Sequence, residues 1–170
     1  MTVTFKGQPM TLAGPELHAG DPAPAFSLTA GDLSSVTVDT LVDKGQRAAM
    51  LIVVPSLDTN VCSLESKKFN SRLAELPEGV VASVVSVDLP FAQARWCGAE
   101  GDIKLQMLSD YRDHSFGNNY GLLVKELDLL ARAIVVIGKD KTIHYVQIVP
   151  EIAQEPDYDA ALKAAAAAAA

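Results

Sequence analysis

The chain has 170 residues, 49% of them apolar and 21% charged, a mix that fits one ordinary globular domain with a proper buried core. Its net charge of −7 and its lack of any basic stripe argue against a nucleic-acid partner, because neutralising phosphates takes clustered cations. The longest apolar runs, residues 48–54 and 133–137, fall far short of the roughly 20 residues that span a bilayer. The first twenty residues hold no signal-type apolar stretch, so the expected address is the cytoplasm.

In chain order, residues 3–5 and 10–12 flank Lys6-Gly7-Gln8-Pro9 and read as a small N-terminal hairpin. A Gly- and Pro-rich connector follows, then two short edge strands at residues 26–28 and 35–38. Residues 48–54 are a continuous apolar run of buried-strand length, stopped by Pro55. Ser56, Asp58, Thr59 and Asn60 supply helix-starting side chains. A helix is expected over about residues 61–76, with Cys62, Phe69, Leu73 and Leu76 on one face, and Pro77 and Gly79 ending it. The valine-rich residues 80–87 make a second buried strand, completing a right-handed βαβ unit with parallel strands. Asp88-Leu89-Pro90 offers a cap and a first-turn proline for a short helix over 91–96, closing at Cys97-Gly98. Residues 132–137 and 142–149 form an antiparallel hairpin about Gly138-Lys139-Asp140-Lys141, and Pro156-Asp157 opens a last helix that runs into alanines. This is the thioredoxin-type order, α/β with a mixed central sheet, flanking helices and an N-terminal hairpin extension. Residues 1–163 are expected to form one domain, with 164–170 a poly-alanine tail of no functional content.

Two cysteines are too few for a disulfide framework, and His18, His114 and His144 are scattered without metal-ligand spacing. In a reducing compartment such a pair is more often redox-active than structural. Cys62 falls just past the carboxyl end of a buried strand, in the first turn of a helix. Unpaired N–H groups and the positive end of the helix dipole favour a thiolate there, and ligands gather at that end of an open sheet. The competing reading is an inert core cysteine. Against it stand Thr59, three residues earlier with a hydroxyl for the sulfur or a peroxide oxygen, and Pro55, which fixes the backbone and screens the sulfur. Ser63, Leu64 and Glu65 follow, so there is no C-x-x-C and no thioredoxin-style exchange between neighbouring cysteines. Cys97 also follows a parallel strand, which places both thiols at the same end of the sheet.

The segment Pro55-Ser-Leu-Asp-Thr-Asn-Val-Cys62 resembles the active-site segment of the bacterial thiol peroxidases, an atypical two-cysteine branch of the peroxiredoxins. Residues 88–101 resemble the segment carrying that family's resolving cysteine, and residues 131–137 and 155–160 also resemble family segments. The P-x-x-x-T-x-x-C pattern marks the wider peroxiredoxin group; the Cys97 segment narrows it to this branch. The resemblance implies that Cys62 attacks the peroxide, that Cys97 resolves the sulfenic acid as an intramolecular disulfide, and that thioredoxin reduces it. It implies Arg132 as the cation that holds the thiolate and orients the peroxide, no metal, haem or flavin, and a homodimer. A helix of about seven residues at ~1.5 Å rise lifts Cys97 on the order of 10 Å from Asp88, whereas a disulfide needs Cα atoms within about 7 Å. Local rearrangement over residues 91–98 is therefore expected. The rival readings are a disulfide-exchange protein without peroxidase activity and a binding domain whose cysteines merely pack.

Overall fold

A computed structural model describes residues 1–43 and 45–170. The N-terminal hairpin forms, with β1 (Thr2–Phe5) antiparallel to β2 (Gln8–Ala13). Its turn is tighter than expected: Phe5 pairs with Gln8, and Lys6 and Gly7 between them both have positive φ, 51° and 77°. That is the requirement of a two-residue hairpin loop whose twist matches its strands.

The next strands are β3 (Leu28–Ala30) and β4 (Ser35–Val36). The second is shorter than expected because Thr37 begins the helix α1 (Val38–Leu41) through a capping box with Thr40. The core of the molecule is β5 (Ala48–Val53), α2 (Asn60–Ser71) and β6 (Val80–Ser86). β5 and β6 are parallel and in register from Ala48↔Val80 to Val53↔Val85, which is the expected βαβ unit. α2 stops at Ser71 and tightens into a 3₁₀ turn at Leu73–Glu75, so the expected single helix to residue 76 is two pieces.

α3 (Pro90–Glu100) is longer than expected. Gly98 lies inside it, and the stop comes at Gly101, whose φ of 96° only glycine adopts readily. The expected Asp88 cap is also corrected: Leu89 is the N-cap and makes no side-chain cap bond, while the Asp88 carboxylate is used elsewhere. The sequence reading passes over β7 (Gln106–Ser109), which pairs parallel with β6, and over α4 (Ser115–Asn119), β8 (Leu123–Val124) and β9 (Leu129–Leu130). The C-terminal hairpin β10 (Ala133–Gly138) and β11 (Ile143–Ile148) is as expected. Asp157 caps α5 (Tyr158–Ala168), accepting from Ala160 N at 2.9 Å.

Seven strands form one mixed sheet in the order β11-β10-β5-β6-β7-β3-β4, and β1-β2-β8-β9 form a second, smaller sheet. All six residues of β5 are buried, and their alternation divides the core. Ala49, Leu51 and Val53 join Phe26, Phe116 and Tyr120 on one face. Met50 and Ile52 join Cys62 and Phe69 of α2, Trp96 of α3 and Ala161 and Ala165 of α5 on the other. Phe69, fully buried against the Tyr158 ring at 4.9 Å, secures α2 to that face; burial of such a side chain is worth about 1.5–3 kcal/mol.

Candidate active site

Cys62 is the third residue of α2, after the N-cap Thr59, and it is wholly buried. The loop that delivers it, from Pro55 to Thr59, is held by Asp88 at the end of β6. One Asp88 carboxylate oxygen accepts from the Ser56 hydroxyl at 2.7 Å; the other accepts from Leu57 N and the Ser86 hydroxyl, each at 2.8 Å. The Asp88 carbonyl accepts from the Ser109 hydroxyl at 2.5 Å, tying in β7. Buried Gln93 of α3 completes the cluster by donating to Ser86 Oγ and Leu108 O.

Arg132 arrives through the register of the neighbouring strand. Ala133 pairs with Val53, and Ile134 and Val136 face the α2 side, so Arg132 two residues earlier meets the start of α2. Its Nη2 donates to Cys62 Sγ at 3.3 Å and its Nε donates to Ile152 O at 2.8 Å. Its Nη1 donates to Glu65, and Arg132 and Glu65 are 2% and 0% exposed. An isolated charge at such burial would be prohibitive, so the pair and the sulfur stand or fall together.

Burial dominates the electrostatics of this group. It pushes the Glu65 carboxyl up to about 7 despite the guanidinium beside it. Burial also opposes the charge on Arg132, but the Glu65 carboxylate and the Cys62 sulfur outweigh it and push the Arg132 pKa up. Glu65 Oε1 has no hydrogen-bond partner among the described residues. Cys97 is only half-buried in α3, and burial pushes its thiol up. Both thiols are free.

Of the other residues singled out in the sequence, Pro55 and Thr59 share a cavity with Arg132, and Cys97 stands on the neighbouring helix. Pro55 is buried, and with Thr59 and Arg132 it lines an apolar trough of about 380 Å³. The Thr59 hydroxyl does not reach the sulfur; it donates to Ser56 O at 2.9 Å. Cys97 sits on the neighbouring helix, whose Trp96 Nε1 donates to Ser63 Oγ at 3.1 Å. Around it lie the ion pairs Arg95–Asp58 at 2.7 Å and Lys67–Glu100 at 3.1 Å. Sequence reasoning missed Glu65, although a signal exists: an acid three residues after Cys62 shares its helix face. Among the described residues, no cluster of His, Cys, Asp and Glu is suited to holding a metal ion, and no helix is long and apolar enough to cross a membrane.

The structure thus sets a buried sulfur at a helix start, bonded by a buried arginine, on a thioredoxin-type sheet, the fold of a class of thiol-based redox proteins. The Redoxin family profile matches residues 18–162. The chain is 49% identical to a thiol peroxidase of Halalkalibacterium halodurans over 167 residues, 98% of each chain. It is 51% identical to a thiol peroxidase of Streptococcus pneumoniae over 165 residues, 97% of this chain and 99% of the relative. Among solved structures, a peroxiredoxin-like protein from Aquifex aeolicus superposes with a TM-score of 0.89 at 42% identity, covering 98% of this chain and 96% of that one. The chain belongs to the Redoxin family, in its bacterial thiol peroxidase branch.

Proposed function

We propose that the chain reduces hydrogen peroxide and organic hydroperoxides through a thiolate at Cys62, with Cys97 as the resolving thiol. The sulfur attacks one peroxide oxygen, the O–O bond breaks, and the departing oxygen takes a proton to leave as water or an alcohol. Cys62 is left as a sulfenic acid. The Cys97 thiol attacks that sulfur, the S–O bond breaks, water leaves, and a disulfide forms. Thioredoxin's dithiol then returns two electrons and two protons. Thr59 and the α2 amides position the peroxide, Arg132 stabilises the charge that develops as the O–O bond parts, and Pro55 limits access of water to the sulfur.

The observation that carries this reading is the Arg132 Nη2 to Cys62 Sγ contact of 3.3 Å, made without solvent exposure at the first turn of a helix. A fixed cation at that distance can balance an anionic sulfur, in addition to pairing the buried Glu65. Curated relatives near 50% identity over almost the whole chain are named thiol peroxidases, which favours peroxide reduction over disulfide exchange alone. Residues 1–163 serve as one catalytic domain, acting in the cytoplasm as a homodimer without nucleic-acid partners. The alanine run after it adds no chemistry, although it extends α5 to Ala168 and Ala165 is buried in the core.

The test is one equivalent of hydrogen peroxide added to fully reduced protein, followed by intact-mass measurement. A loss of two hydrogens with both free thiols consumed is the expected result. Two thiols still free, or a solely intermolecular disulfide, would overturn the mechanism.

A further inference from the structure

Three ionisable groups meet inside the core at the start of α2, and only one of them is a cation. Arg132 donates through Nη2 to Cys62 Sγ at 3.3 Å and through Nη1 to Glu65, while its Nε is spent on the neutral Ile152 carbonyl. Cys62 and Glu65 are wholly buried and Arg132 nearly so, which leaves solvent little part in balancing their charge. Two anions against one guanidinium would strand a net charge in the core, a costly arrangement. The trio is neutral only when Cys62 and Glu65 share one negative charge between them.

Beyond Arg132, the charge that acts on Glu65 is that of Glu155, in the loop before α5. Bonds from the Lys68 ammonium and the Tyr158 hydroxyl hold the Glu155 carboxyl below the usual carboxylate range, so it stays ionised and commits Lys68 to itself. The Tyr158 phenol is neutral, because burial and its bond to Glu155 push it up. Burial first, and then the charge of Glu155, push the Glu65 carboxyl up to about 7 against the pull of Arg132. Glu65 Oε1 also lacks any hydrogen-bond donor among the described residues. An ionised oxygen left without a donor costs more to bury than a neutral one.

We propose that Glu65 is the proton store of this site, holding a proton while Cys62 is a thiolate and giving it up when the sulfur is oxidised. This deepens the peroxidase reading and rests on it. In the reduced state the thiolate cancels the guanidinium and Glu65 is neutral. In the oxidised state the sulfur carries no charge, and the Glu65 carboxylate takes its place opposite Arg132. The first step then balances: thiolate, protonated Glu65 and peroxide become sulfenic acid, Glu65 carboxylate and water or an alcohol. The sulfur supplies the electron pair, the O–O bond breaks, and the proton that Glu65 loses equals the one that the departing oxygen gains. Condensation with the Cys97 thiol releases only water. When a dithiol reduces the disulfide, one of its two protons returns to Glu65 and the other to Cys97. Glu65 is a positioning residue, acting on the sulfur through Arg132.

The test counts protons. Fully reduced protein in lightly buffered solution at about pH 6.5 receives one equivalent of hydrogen peroxide, and an indicator dye reads the proton balance. Wild type should consume both thiols with no net proton exchange. Glu65→Gln imitates the protonated acid but has no proton to release, so it should take up about one proton per peroxide from solvent. Ultraviolet absorbance before mixing should show a Cys62 thiolate in both proteins; the Cys97 thiol, pushed up by burial, adds nothing to it. Equal proton counts, or a Cys62 that starts as a neutral thiol in either protein, would overturn the proposal. An infrared difference spectrum of wild type, oxidised minus reduced, needs no variant. It should lose the band of a protonated carboxyl, and an unchanged carboxyl region would overturn the proposal even where Glu65→Gln did not fold. A wild type whose two thiols survive the peroxide would instead overturn the peroxidase reading beneath it.

Discussion

The two cysteine-bearing helices are built on opposite plans. α2 presents Cys62 to the core, where Arg132 and Glu65 fix its surroundings and Phe69 locks the helix to the sheet. α3 carries Cys97 at a half-buried position and leaves Leu89 and Phe91 49% and 68% exposed. Its far half is held by the Trp96 indole, buried in the core beside Met50 and Ile52 and bonded to Ser63, and by ion pairs such as Arg95–Asp58, with side chains 64% and 57% exposed. Pairs of that kind contribute little. The first helix holds its sulfur inside the core; the second carries its thiol at the margin of the core, beside the buried Trp96. This difference matches the division of labour proposed for the two thiols, one needing a preorganised field and the other needing to travel.

The sharpest way to break the comparison is Cys62→Ser, which should abolish peroxide consumption while leaving the thermal midpoint within a few degrees of wild type. Thioredoxin-linked turnover by this variant would show that the roles are assigned to the wrong helix. Arg132→Met comes next, with first-step oxidation slowed about 100- to 1,000-fold, the usual loss when a transition-state donor is removed. Stopped-flow fluorescence of Trp96 reads it, because the indole bonds Ser63 on α2 and reports on contact between the helices. A rate within threefold of wild type would demote Arg132 to a structural group.

Cys97→Ser sharpens the other side. Its first oxidation should stay within about threefold of wild type, yet steady-state turnover with thioredoxin should collapse, and mass analysis should find one added oxygen at Cys62 in place of two lost hydrogens. A smaller effect is expected at Glu65, and it depends on pH. Its carboxyl is raised from 4.5 to about 7, so between those values the folded chain holds a proton the unfolded chain has released. Stability therefore falls as pH rises through that window. Glu65→Gln carries no such proton, and the difference in thermal midpoint should move in the variant's favour between about pH 5 and about pH 8. A constant difference would mean that Glu65 stays ionised throughout. The smallest effect belongs to Trp96→Phe, which removes the bond to Ser63 and should speed disulfide closure by about fivefold, the value of one hydrogen bond.

Much of this was legible in the residues. The strand-helix-strand unit was plain because β5 reads as an unbroken apolar run and β6 as a valine-rich one, with the helix signals between them. β7 was not, since Gln106-Met-Leu-Ser109 is four residues long and its polar ends mask a buried centre. The ends of α2 and α3 shifted for local reasons: α2 tightens at Arg72, and α3 tolerates Gly98 and stops only at Gly101. Pro55, Thr59 and Arg132 line one trough, Arg132 bonds Cys62, and Cys97 packs against the core cluster that holds Cys62. The approach of Arg132 to the sulfur spans 70 positions in the chain and follows from strand register, which no local pattern displays. Glu65 escaped notice because an acid on a helix reads as solvent-facing until its partner is seen, and Asp88 read as a helix cap because its partners Ser56 and Leu57 lie more than thirty residues away.

The Asp88 cluster has a mechanical consequence. It bolts the root of α3 to the sheet through hydrogen bonds that include the buried Gln93 amide, donating to Ser86 Oγ and Leu108 O, whereas the tip near Glu100 is held at the surface by Lys67. A helix anchored so unequally would open from Glu100, and the buried Trp96 indole is the core contact that opening past Cys97 has to break. Cys97 lies in the stretch that lets go first and Gln93 in the stretch that lets go last, four residues nearer the root. Opening that halts at Gln93 frees the second sulfur while the Ser56 and Leu57 bonds to Asp88 stay closed, so the tether is released without unfastening the loop that holds Cys62.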